Sequence, residues 1–126
     1  MMNRLELFNG QKYLNLETFR KSGTGVKTPV WFVQEGNMLY VRTVANSGKV
    51  KRIRSNGNVN IAPCRVDGTL LGEWIPASAR EVKEEAITRW VDQMLGKKYG
   101  LIKMLFALAS VIQGRKSTIL EINVKE

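Results

Sequence analysis

The alternating run Thr118, Leu120, Ile122 and Val124, interleaved with Ile119, Glu121 and Asn123, lies at the far end of the chain, after two helical segments. Its period of two predicts a strand. Five earlier stretches also predict strands, so this last one must return across the helices to pair with an earlier one. A meander of six strands that closes on itself is a small β-barrel with its helices packed outside. Closure removes the exposed edges that an open sheet would carry.

The earlier elements follow in order. Met2–Asn9 predicts a short helix. Tyr13 to Arg20 carries Leu14 and Leu16 on one face and Asn15 and Glu17 on the other, which is a strand. Ser22-Gly23-Thr24-Gly25 turns it. Lys27 to Gln34, with Val30-Trp31-Phe32-Val33, predicts the second strand. Glu35-Gly36-Asn37 turns again, and Met38 to Thr43 is the third. Asn56-Gly57-Asn58 precedes a fourth, Val59 to Val66, and Asp67-Gly68 predicts a hairpin turn. Thr69 to Ala79 is the fifth, where Pro76 points to a bulge or an edge. Ala86, Ile87, Trp90, Val91, Met94 and Leu95 then form one apolar helical stripe. Gly96 and Gly100 break that pattern around Lys97-Lys98-Tyr99. Leu101–Ile112 is a second, apolar helix that Gly114-Arg115-Lys116 ends.

A chain of 126 residues predicts one domain spanning 1–126. Its net charge of +9 implies anionic partners: nucleic acid, a membrane surface, or a phosphorylated or polycarboxylate ligand. The N-terminal stretch has no signal-peptide apolar core, because Asn3, Arg4 and Glu6 interrupt it. Leu101–Ile112 is shorter than the roughly 20 residues that span a bilayer. It reads as a helix buried in the domain or between subunits, with a membrane-surface helix as the other reading, since Lys97, Lys98 and Lys103 lie near. The single cysteine, Cys64, precludes an internal disulfide, sits in an apolar run as a small core residue, and is compatible with a cytoplasmic location.

The chain contains no histidine, so Ser-His-Asp and Cys-His catalysis are excluded, and with one cysteine a zinc site is disfavoured. Glu84-Glu85 sit at a helix start, where carboxylates favour the dipole. Glu73 and Glu121 are isolated. No acid, base or nucleophile emerges, so a reaction carried out here needs a cofactor that the protein holds and orients.

The charge concentrates after the third strand. Asn46-Ser47-Gly48 supplies a turn and a helix start, and Lys49, Lys51, Arg52 and Arg54 crowd the next two turns. Lys49 and Arg52 are three apart and share a helical face. A helix N-terminus flanked by cations holds phosphate well; a solvated basic helix is the competing account. Thr43 and Val50 occupy positions where a nucleotide P-loop requires Gly and Ser or Thr. Gly23-Thr24-Gly25 lacks the third glycine of a dinucleotide fingerprint and reads as a hairpin turn. Pro29, inside a strand, gives no N–H to a ladder and keeps Thr28 extended. The gap it leaves faces either solvent at a barrel rim or a flat polar ring. Nucleic-acid binding is not favoured, because the basic run is short and no aromatic residues interleave it.

Several stretches together resemble a known family. They are Tyr13-Leu14-Asn15-Leu16-Glu17-Thr18-Phe19-Arg20, Thr28-Pro29-Val30-Trp31-Phe32, Leu39-Tyr40-Val41-Arg42-Thr43, Ser47 to Arg54, Ile61-Ala62-Pro63-Cys64 and Gly72 to Arg80. Tyr99-Gly100 and Leu120-Glu121-Ile122 extend the likeness to the end of the chain. The sequence resembles the pyridoxamine-phosphate-oxidase-like superfamily of flavin and deazaflavin oxidoreductases, and within it the class dependent on F-420.

That resemblance implies a mainly β, six-stranded split barrel of the FMN-binding type, a homodimer with cofactor at the subunit interface, and hydride transfer to or from a small organic acceptor. It implies that Lys27, Thr28, Pro29, Val30, Trp31 and Phe32 line the ring and ribityl chain. It assigns the phosphate to Arg42, Thr43, Ser47 and Lys49, with backbone from Gly48 and Val50, while Lys51 and Arg52 reach an acidic tail or the partner subunit. The vitamin-binding residues of the oxidase have no counterpart here, and the N-terminal helix is short, so vitamin oxidation is not implied. F-420, with its oligoglutamate tail, and FMN remain the two cofactors, and the basic charge suits the former. A non-catalytic carrier or sensor of flavin or tetrapyrrole is the second function class. Absence of histidine weakens haem, which loses its commonest axial ligand.

Overall fold

A computed structural model describes residues 4–103 and 116–125. The 3-10 turn Arg4–Phe8 is followed by strands β1 (Tyr13–Phe19), β2 (Gly25–Val30), β3 (Val33–Glu35) and β4 (Met38–Val44). Helix α1 (Gly48–Ser55), β5 (Asn58–Cys64), β6 (Ile75–Val82), helix α2 (Glu85–Tyr99) and β7 (Ser117–Val124) complete the order. The expected helix Leu101–Ile112 and its Gly114 terminus fall largely outside the described residues; Leu101 and Ile102 themselves are helical and exposed. No helix among the described residues is long and apolar enough to cross a membrane.

All seven strands of the described residues form one antiparallel sheet in the order β2-β1-β5-β6-β7-β4-β3. The first and last strands of that list, β2 and β3, are consecutive in sequence and joined only by Trp31 and Phe32. Three Cα steps reach at most about 11 Å. The two edges of the sheet are therefore held side by side, and the sheet has to curl into a barrel. β2 and β3 make no ladder with each other, so the barrel is split along this seam. The strand count is seven rather than the expected six because Lys27–Gln34 breaks at the seam instead of running through it.

The returning strand behaves as its position requires. β7 inserts between β4 and β6, pairing Val41 with Leu120 on one side and Ala79 with Ile122 on the other. Period-two alternation sorts the core. Leu14, Leu16, Leu39, Val41, Val59, Ile61, Ala77, Leu120 and Ile122 fill the barrel, joined by Val50 and Ile53 from α1 and Leu5 and Phe8 from the N-terminal turn. Tyr40, Val82 and Ile119 point outward and pack under Val91 and Leu95 of α2. Between these layers Glu121 accepts from the Tyr40 hydroxyl at 3.2 Å and Arg80 Nε at 2.9 Å. Burial, and then the Glu121 charge, push the Tyr40 phenol above its ordinary range. Glu121, isolated along the chain, is thus paired in space.

Three boundaries differ from expectation. The fifth strand begins at Ile75, not Thr69, because Gly68 and Gly72 keep Asp67 to Trp74 as a loop in which Leu70 makes a single bridge to Cys64. Pro76 marks neither a bulge nor an edge, since β6 lies between β5 and β7. Its carbonyl accepts from Lys125 N at 3.2 Å, just past the end of β7. The missing N–H faces the same way, so its absence falls where the ladder stops. α2 runs through Gly96, where glycine costs about 1 kcal/mol relative to alanine, and ends at Gly100 with φ +94°.

The extra turn of α2 delivers its last side chains to the seam. Tyr99 Oη donates to Lys12 O at 2.7 Å and accepts from Phe32 N at 3.1 Å. Its ring stacks on Trp31 at 4.3 Å with planes 6° apart. Lys98 Nζ donates to Phe32 O at 2.9 Å and lies 3.4 Å from the centre of the Phe32 ring. Although Lys98 as a residue is exposed, loss of water at its ammonium lowers its pKa to about 8; burial raises Tyr99 to about 12. Pro29 itself stays in the ladder opposite Asn15; the break in pairing falls at Trp31-Phe32, and the Phe32 backbone groups are served by the protein itself.

Tyr99→Phe should lower stability by about 1–3 kcal/mol, because the Lys12 carbonyl and Phe32 N–H lose a partner. A urea melt should show a lower midpoint at unchanged slope.

Candidate functional site

α1 is fixed by two apolar anchors. Val50 and Ile53 are buried in the barrel core, which leaves Lys49 and Arg52 half-buried at its flank and Lys51 and Arg54 exposed. The N-cap residue Ser47 has extended geometry, φ −68° and ψ 159°, yet its side chain makes no capping bond. Ser47 Oγ is buried and has no hydrogen-bond partner among the described residues. No acidic residue occupies the first turn, where N–H groups lack intrahelical acceptors.

Cations gather around that turn. Arg52 Nε donates to Thr18 Oγ1 at 2.7 Å. A Cβ built on Gly48 would stand 2.7 Å from an Arg52 guanidinium nitrogen, so the guanidinium folds back over the helix start. Burial, then the Arg52 charge, pull Lys49 below its ordinary pKa; burial, then the Arg20 charge, pull Arg52 down. Among the described residues no carboxylate pairs with Lys49, Arg52 or Arg20. Arg54 does not join them: it is bidentate to Glu81 at 2.9 and 3.1 Å.

The remaining sequence-predicted residues are distributed by strand alternation. Arg42 and Thr43 point to opposite faces of β4. Arg42 is ion-paired with Asp92 of α2 and donates to Ser117 Oγ at 2.8 Å. Its Nε is buried without a partner among the described residues. Arg42 therefore engages α2 and β7, whereas α1 packs on β1 and β6. Thr43 lies opposite Thr118. On β2, Thr28 and Val30 stand opposite the core residues Leu16 and Leu14 and face inward. Lys27 and Pro29, opposite Glu17 and Asn15, face outward, with Lys27 Nζ 5.4 Å from the Trp74 ring. Trp31 and Phe32 form the seam. Because β2 is a sheet edge, one side of its backbone is outside any ladder, which is where a proline is tolerated.

Sequence reasoning missed Arg20, Thr18, Asp92 and Lys98. Thr18 lies near the end of β1 and Arg20 just past it, and only the packing of α1 across β1 brings them to Arg52. Asp92 occupies a polar position of the α2 stripe. The one available signal was the lone acid among that helix's middle turns. Cys64 is buried as expected, and burial raises its thiol pKa.

Comparison with known proteins gives a fold. Neither a protein-family model nor a curated protein matches the chain. Solved structures do. The heme storage protein HutZ of Vibrio cholerae superposes with TM-score 0.73 at 16% identity, covering 96% of this chain and 87% of that one. A candidate pyridoxamine 5'-phosphate oxidase of Listeria innocua gives TM-score 0.68 at 14% identity, over 97% and 90%. This chain has the split-barrel fold of the pyridoxamine-phosphate-oxidase-like proteins. An FAD-binding protein of Mesorhizobium loti is a further likeness, TM-score 0.65 at 12% identity over 99% and 90%. Within this split-barrel fold, flavin-binding and heme-storing proteins both occur.

The two cation groups should respond oppositely in ligand-free protein. Arg42→Ala should destabilise by about 1–3 kcal/mol, since Asp92 loses a charged partner. Lys49→Met should raise the melting temperature, because Lys49 is held below its unfolded pKa. The sign follows from linkage: a lowered lysine pKa withholds stability at neutral pH and returns it as pH rises through the folded value toward 10.5. The gain from Lys49→Met should therefore shrink in alkaline buffer, read by calorimetry across pH.

Proposed function

We propose that the protein is an oxidoreductase that binds FMN or F-420 and exchanges hydride with a small organic acceptor. The observation that carries this is the anion-ready start of α1. Lys49 and Arg52 are crowded and partly buried, beside the N–H groups of the first helical turn, and among the described residues they have no carboxylate partner and Ser47 Oγ has no hydrogen-bond partner. Like charges in that state gain most from a phosphate. These residues fit the phosphate of either cofactor, with Gly48 and Val50 offering backbone donors and Thr43 nearby in sequence. Arg42 serves that phosphate only by releasing Asp92, so its share in binding is the weakest of the set.

The bound cofactor supplies hydride chemistry. The chain's own contribution is to anchor and orient. Lys27 and Pro29 offer an outward surface on β2, and the free side of that edge strand offers backbone groups to a flat polar ring. Thr28 and Val30 stiffen the edge from inside, and Trp31 and Phe32 fix where it ends. Lys51, exposed, and Arg52 are placed for an acidic tail or a partner subunit. The proposed assembly is a homodimer with cofactor at the interface, in the cytoplasm. F-420 is preferred over FMN because its tail carries more negative charge toward a +9 chain.

Lys49→Ala should weaken cofactor binding by about tenfold or more. Absorbance titration of purified wild type and variant with FMN and with F-420 checks this, and unchanged affinity would refute it. A carrier or sensor is the second reading, favoured by the likeness to a heme storage protein. Oxidation of the bound reduced cofactor by quinone or enone acceptors separates them: turnover means enzyme, and retention without turnover means carrier.

A further inference from the structure

A cavity of about 500 Å³ opens beside the seam, on the side of the N-terminal turn and the end of α2. Its size falls within the range of about 300–1,000 Å³ typical of small-molecule sites. Phe8, Phe32, Val33 and Met94 give it apolar walls, and Lys97 and Lys98 stand at its polar side. No aspartate or glutamate lines it among the described residues. Three separate segments build it: the turn after Phe8, the Phe32-Val33 junction and the last turns of α2.

The polar side is organised rather than floppy. Lys98 Nζ is held by Phe32 O at 2.9 Å and by the Phe32 ring at 3.4 Å, so its charge has a fixed place at the cavity. Neither lysine has an ion-pair partner among the described residues. A helix C-terminus accounts for cations in the last turn of α2. It does not account for the apolar cavity they border or for an ammonium that has given up much of its water, as the lowering to about 8 reflects. An anion with an apolar body satisfies all three features at once.

We propose that this cavity binds an organic monocarboxylate with an aromatic or branched apolar body, its carboxylate between Lys97 and Lys98 and its body against Phe8, Val33 and Met94. Phe32 ends the segment proposed to receive the cofactor ring, so a member of this class with a C=C bond conjugated to its carboxylate is the candidate acceptor, gaining hydride at its β-carbon and a proton from water at its α-carbon as the reduced cofactor is oxidised. That role rests on the redox reading above, whereas the binding itself does not.

Calorimetric titration of the full chain with benzoate and with its uncharged analogue benzamide tests the proposal. Benzoate should bind about tenfold or more tightly than benzamide. Lys97→Gln and Lys98→Gln should each lower benzoate affinity by about five- to tenfold and leave benzamide affinity nearly unchanged. Among the described residues Lys97 makes no bond to the seam, so its variant tests the charge even if Lys98→Gln disturbs Phe32. Lys49→Ala should leave benzoate binding intact, which places the site away from α1. Absent benzoate binding, equal affinity for the two probes, or an unaltered Lys97→Gln titration would overturn the proposal. Failure of the FMN and F-420 titrations with benzoate binding intact would remove the acceptor role and leave the carboxylate site standing.

Discussion

The contact on which the architecture turns is the grip of Tyr99 and Lys98 on Phe32. A sheet whose two edges are consecutive in sequence has to bring those edges together within a link of two residues, and the link itself can form no ladder. Its buried backbone groups would be costly without partners. A tyrosine hydroxyl and a lysine ammonium, both from the last turn of α2, supply them. The outer helix thus completes the hydrogen bonding of the barrel it covers, and the stack of Trp31 on Tyr99 fixes the orientation of the join.

The same economy of elements shapes the basic turn. α1 is short and is held by Val50 and Ile53, residues that alternate with the cations on either side of them. Core burial therefore dictates where Lys49 and Arg52 lie, and partial burial turns ordinary surface charges into groups that repel each other in reduced solvent. Arg54 and Arg42, in contrast, have found Glu81 and Asp92. Arg42 and Arg54 are thus paired within the fold, while Lys49 and Arg52 have no carboxylate partner among the described residues.

Much of this was legible before any coordinates. Period-two runs located most strands, and the helical stripe from Ala86 to Leu95 located α2, because each pattern reports which side chains must leave water. The returning position of β7 followed from its place after the helices. What could not be read was pairing at a distance. Nothing local says that Val30-Trp31-Phe32-Val33, an unbroken apolar run, breaks in the middle; the break is imposed by barrel closure. Glycine at positions 68 and 72 shortened a strand that propensity favoured, while Gly96 failed to stop a helix whose end was needed at the seam. In the site, Lys49 and Arg52 were visible as a shared face, but Arg42 was not separable from them until Asp92 came into view.

The late insertion of β7 shapes how the molecule can assemble. Until residues 117–124 are in place, β4 and β6 each present an unsatisfied flank, and the described chain amounts to two fragments of sheet, β2-β1-β5-β6 and β4-β3, tethered through Trp31-Phe32 and through α1. The β4 flank carries Leu39, Tyr40 and Val41, apolar and β-prone, the kind of template that recruits a neighbouring molecule when left open. Joining β4 to β6 thus waits for β7, which follows the other six described strands in sequence, and those two flanks need shielding until it docks.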